Sequence, residues 1–69
     1  MNKDTAKGSW KEVKGSVKEK WGKLTDNHLT EIDGKRDQLV GHVQKHYGLS
    51  KDEAETQVSD FERDSKYKF

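Results

Sequence analysis

The sequence predicts an all-α fold, a small bundle of about four helices, three longer and one short. Three observations lead there. Apolar residues recur at helical spacings along the chain, a complete capping box opens the last quarter, and strand signals are absent. No apolar run alternates, no proline occurs, and the valines fall only at helical intervals.

Placed at 100° per residue, Ala6, Trp10, Val13, Val17, Trp21 and Leu24 lie within a stripe about 80° wide. Gly8, Gly15 and Gly22 lie opposite it, where no packing is lost, although each costs a helix about 1 kcal/mol against alanine. This helix is weak alone and needs partners; the two tryptophans are its anchors. "GSWKEVK" and "GSVKEKW" make an imperfect heptad repeat, too short for a coiled coil.

Thr25 then offers an N-cap for a short second helix to about Asp33, with Leu24 as its staple residue, and Gly34 marks a break. Arg36, Leu39, Val40, Val43 and Tyr47 form a third helical face, with Gly41 on the far side and Gly48 at the C-cap position. In "LSKDEA", Ser50 is the N-cap of a fourth helix, Glu53 its capping-box partner, and Leu49 staples to Ala54. Ala54, Val58 and Phe61 carry that helix to about Asp64.

The bulk composition limits what such a chain can be. Sixty-nine residues make a single domain, residues 1–69, and nineteen apolar side chains give a core worth only about 3–5 kcal/mol net. Charged residues make up 39% against 28% hydrophobic, near the boundary with disorder, but a net charge of +1 does not force the chain open. Without cysteine there is no disulfide, thiolate metal site or thiol nucleophile. "MNKDTAKG" lacks the apolar core of a signal peptide and no run is long enough to span a membrane, so a soluble cytoplasmic monomer is expected. Residues 1–23 hold seven lysines against three acids, and residues 50–65 hold two bases against six acids. A modest attraction between the first and last helices is therefore expected.

The candidate chemistry is sparse. His42 and His46, spaced i, i+4, could offer two imidazoles to a metal, but no HExxH glutamate or cysteine accompanies them. His28 or Asp37 would join them only by accident of the fold, so zinc is expected to leave the thermal midpoint unchanged. Ser9, Ser16, Ser50, Ser59 and Ser65 have no nucleophile-elbow context. "GKRDQ" lacks the glycine spacing and final hydroxyl of a phosphate loop, and the carboxylates sit in solvated clusters such as "KDEAE". The sequence thus marks no catalytic, cofactor-binding or metal-ligating residue, and no cofactor; a non-enzyme is expected. Lysines interleaved with Trp10 and Trp21 could face nucleic acid, yet both indoles share the apolar stripe, so core anchoring is the more economical reading. The same face is too narrow for more than transient membrane attachment.

"WKEVKGSVKEKWGKLTDN", "IDGKRDQLVGHVQKHYGLSKDEAE" and the tail "KYKF" together resemble the CsbD-like bacterial stress-response family, its YjbJ-type branch in particular. The resemblance covers essentially the whole chain, with "KEKWGKLTD" and "GKRDQLVG" its most specific pieces; Ser16 and Asn27-His28 are small departures. It implies an all-α fold similar to two crossed helical hairpins, and a cytoplasmic protein made under osmotic or stationary-phase stress. It brings no catalytic or binding residue with it. A mean hydropathy of −1.31 is also similar to that of the hydrophilin class of stress proteins. The functional expectation is a small, hydrophilic, non-enzymatic general stress-response protein whose partner is unknown. The alternatives are a nucleic-acid-binding helical module and a partly disordered hydrophilin-like protectant.

Overall fold

The computed structural model describes residues 3–67 and 69, and side-chain surroundings from Trp10 onward, Lys68 apart. Four helices follow one another: α1 (Lys3–Lys20), α2 (Asp26–Ile32), α3 (Arg36–Tyr47) and α4 (Lys51–Ser65), and no strand occurs among the described residues. The all-α fold with one short helix is as the periodicity predicts. The surroundings of Ala6, Gly8 and Ser9 lie outside the described residues.

The apolar spacing of α1 runs on to Leu24, whereas the helix itself stops at Lys20. Trp21 still donates its amide to the Val17 carbonyl at 2.8 Å, and Leu24 closes a turn onto the Trp21 carbonyl at 3.0 Å. Both side chains are about 1% exposed, so the turn delivers them to the same core that the stripe serves. Lys18 and Lys20 occupy the last turn, where cations favour the helix dipole.

Thr25 caps α2 through a box whose partner is His28 rather than an acid or amide. The His28 amide donates to Thr25 Oγ1 at 3.2 Å, and the Thr25 amide donates to His28 Nδ1 at 3.0 Å. Leu24 and Leu29, flanking this box, are both buried. Asp33 and Gly34 then take left-handed conformations, φ 47° and 79°, which turn the chain into α3. Gly34 suits that position because a side chain there would be strained by the positive φ; the space itself, 3.6 Å from Trp10 and 3.5 Å from the Tyr67 hydroxyl, would admit a Cβ in ordinary contact.

α3 ends at Gly48, φ 65°, whose amide returns to the Gln44 carbonyl, as its C-cap position predicts. Three residues on, α4 begins with the capping box read from the sequence: Ser50 Oγ accepts from the Glu53 amide at 3.1 Å, and the Ser50 amide donates to Glu53 Oε1 at 2.9 Å. Ser50→Ala is expected to lower stability by about 1 kcal/mol, seen as a lower urea midpoint at unchanged slope.

α3 packs along α4 and α2 packs against α3. The core takes Trp10, Val13, Val17, Trp21 and Leu24 from the first segment, Leu29 and Ile32 from α2, Leu39, Val40 and Val43 from α3, and Ala54, Val58 and Phe61 from α4. Lys66 ends α4 at φ 59° and returns the tail across the bundle, so Tyr67 is buried and Phe69 packs 6.0 Å from Trp10.

The sequence leads one to expect a modest attraction between basic α1 and acidic α4; among the described residues no ion pair joins the two. Lys18 reaches Asp26 of α2, Glu55 and Glu62 of α4 turn to α3, and Asp60 pairs within α4 with Arg63. Arg36 donates to Glu55 at 2.9 Å, to Glu62 at 3.2 Å and to Ser59 at 2.9 Å. Its planar fork can serve three acceptors on one helix, which a flexible lysine does less well. The hydrogen bond that Glu55 accepts is the leading reason the Arg36 guanidinium holds its proton more tightly than usual. No helix of the described residues is long and apolar enough to cross a membrane.

Candidate metal-ligating histidine cluster

The fold corrects the expectation that His42 and His46 stand without a further ligand. The two lie one turn apart on α3, and the turn at Asp33 and Gly34 folds α2 back so that His28 joins them. Ring centroids are 4.3 Å apart for His28 and His46, 4.9 Å for His28 and His42, and 5.6 Å for His42 and His46. A ligand atom from each lies within 4.8 Å of the other two. Asp37, the other residue considered, is not part of this group.

Each ring is held differently. His28 is fixed by its capping role, its Nδ1 accepting from the Thr25 amide. His42 places Nε2 3.1 Å from Glu31 Oε1 on α2. His42 Nδ1 and His46 Nε2 are shielded from solvent and have no hydrogen-bond partner. A shielded nitrogen without a partner is uncommon and costly, so two in one cluster mark it as the most unusual polar feature of the fold.

Burial foremost, then His28, His42 and Lys45, holds the His46 imidazole below its ordinary value of 6.5. Among the described residues, Glu31 on α2 is the acid paired into the cluster, through His42. The folded state thus takes up this proton at lower pH than the unfolded chain does. Its contribution is complete above about pH 6.5 and is lost as pH falls through the lower, folded value. The thermal midpoint is expected to drop between pH 7.5 and pH 5, and His46→Gln to flatten that dependence.

His28, expected to join the pair only by accident of the fold, carries a local signal of its position. "TDNH" places histidine three residues after a capping threonine, where the capping-box partner sits. That register fixes the ring's position on α2, but not its distance from α3.

The tryptophans meet the expectation of core anchoring. Trp10 is 7% and Trp21 1% exposed, and Trp21 Nε1 donates to Gln57 at 3.0 Å. Neither indole offers a face for base stacking in this fold. Ser16, Glu19, Lys20, Phe61, Asp64 and Ser65 line an open groove between α1 and α4, without the buried charge that would suggest a reacting centre.

Comparison with known proteins gives the same family that the motifs resemble. The family model described as CsbD-like matches residues 4–56. UPF0337 protein YjbJ of Escherichia coli strain K12 is 58% identical over 69 residues, covering 100% of both chains. UPF0337 protein ECA0631 of Pectobacterium atrosepticum is 58% identical over 67 residues, 97% of each chain. UPF0337 protein pc0632 of Protochlamydia amoebophila is 60% identical over 62 residues, covering 90% of this chain and 94% of its own. On a match to three quarters of its length and near-complete alignment with these relatives, the chain belongs to the CsbD-like family.

Proposed function

We propose that the chain is a non-enzymatic general stress-response protein of the bacterial cytoplasm, acting through its folded, strongly hydrated surface. Family membership supports the stress association. The observation that carries the surface reading is the division of the molecule: every buried residue described is hydrophobic, and no polar or charged residue is buried. With charged residues at 39% of the chain, the exterior is a dense mixture of both signs at a net +1. Such a surface keeps its water and associates weakly as water activity falls.

The test compares a deletion strain of the source bacterium with strains carrying the parent gene or a Trp21→Ala allele, through osmotic upshift and drying. The proposal expects raised protein levels on upshift, reduced survival of the deletion strain, and rescue by the parent gene alone. Rescue by the unfolded allele would favour a disordered protectant instead. With both indoles inside, a nucleic-acid reading retains only the exposed lysines of α1, and retention on DNA at low salt with a steep salt slope would bring it forward.

A further inference from the structure

We propose that His28, His42 and His46 form a three-histidine site for a divalent transition-metal ion of the zinc, nickel and copper class, joining α2 to α3. The donor set selects that class. Imidazole nitrogens suit borderline ions, whereas magnesium and calcium require oxygen ligands. Three protein nitrogens leave the fourth tetrahedral position to water.

The unpartnered nitrogens carry the argument. His42 Nε2 faces Glu31 at 3.1 Å; in the neutral ring it donates to that carboxylate, leaving the lone pair on Nδ1, the atom that is shielded and has no partner. A carboxylate behind a histidine is the usual means of fixing the tautomer of a ligand and raising its basicity. His46 presents a second shielded nitrogen without a partner, Nε2. A bound ion would satisfy both atoms at once.

The distances are close to those coordination needs. Zinc–nitrogen bonds of about 2.0–2.1 Å at tetrahedral angles put donor atoms roughly 3.4 Å apart. One ring nitrogen of each histidine already lies within 4.8 Å of one from each of the others, so side-chain rotation has to close gaps of about 1.4 Å. His28 has one prior commitment, since its Nδ1 holds the Thr25 amide and its neutral ring therefore carries the proton on Nε2. To ligate, the ring must release that amide. Metal binding and the cap of α2 thus compete for one imidazole, which gives the site a signature that no surface histidine pair would show.

The test titrates zinc chloride into the full chain at pH 7.5, followed by calorimetry, thermal melting and nitrogen-15 spectra of the imidazoles and amides. The expected result is saturable one-to-one binding and a raised midpoint, reversing the expectation from the i, i+4 spacing alone. His42 Nδ1 and His46 Nε2 should shift as ligands, and the Thr25 amide should lose its hydrogen-bonded shift. Magnesium chloride should produce none of these changes. His28→Gln and His46→Gln should each weaken zinc by tenfold or more, and Glu31→Gln, which removes no ligand, by about tenfold. Absence of saturable binding overturns the proposal. So does zinc affinity unchanged in His28→Gln, or binding that leaves the Thr25 amide unmoved, either of which would reduce the site to the helical pair. The spectra are read on the parent protein, so the result does not depend on any variant folding.

Discussion

Trp21→Ala is expected to leave the chain largely unfolded in plain buffer. The indole is about 1% exposed, packs 5.4 Å from the ring of Phe61, and donates its N–H to Gln57 at 3.0 Å. Truncation removes the largest fully buried side chain and leaves the Gln57 carbonyl oxygen without its partner. Removal of a buried tryptophan costs about 3–5 kcal/mol, and a core of this size supplies about the same in total. The two quantities are equal within their spread, so no reserve remains. Far-ultraviolet circular dichroism should show the helical signal lost, and amide proton shifts should collapse. Trp21→Phe, which keeps most of the packing and gives up the hydrogen bond, should stay folded with a lower urea midpoint. A folded Trp21→Ala protein melting with its parent would refute the anchoring role and bring nucleic-acid binding to the front.

Ending the chain after Lys66 is expected to have the next largest effect. Tyr67 is 9% exposed, Phe69 is half-buried, and the two rings meet edge to face at 4.8 Å. Phe69 lies 6.0 Å from Trp10 and 6.3 Å from Phe61, while the Tyr67 hydroxyl approaches Gly34. Burial pushes the Tyr67 phenol above its ordinary value, in keeping with a ring inside the fold. Burying one such side chain stabilises by about 1.5–3 kcal/mol, and the tail supplies one fully and one in part, so the loss should be about 2–4 kcal/mol. Since Phe69 meets the Trp10 ring directly and reaches Trp21 through Phe61, fluorescence of the truncated protein should shift to the red chiefly through Trp10, which Trp10→Phe would show by reducing the shift. Trp10→Ala and the truncation should also be strongly non-additive, because each removes the other's partner. An unchanged spectrum and melting temperature would mean that the tail does not cover the core.

Helix type, the caps at Thr25, Gly48 and Ser50, the break at Gly34 and the burial of Val17, Leu39, Val43, Ala54 and Val58 were all legible in the sequence. These are local matters. A 3.6-residue period, a capping threonine or serine and a left-handed glycine act over a turn or two, so they leave their mark on consecutive residues. The end of α1 at Lys20 was less legible, because Trp21 and Leu24 keep the helical spacing after the helix has stopped. Which charges meet was decided in three dimensions: Arg36 takes Glu55 and Glu62 of α4, and α1 turns Lys18 to α2. The histidine cluster was decided there as well. His28 stands fourteen residues before His42, and only two left-handed residues at Asp33 and Gly34, with Leu29 and Ile32 drawn into the core, bring its ring against α3. Spacing in sequence sets distance along one helix, whereas the distance between two helices is set by the turn joining them and the core they share.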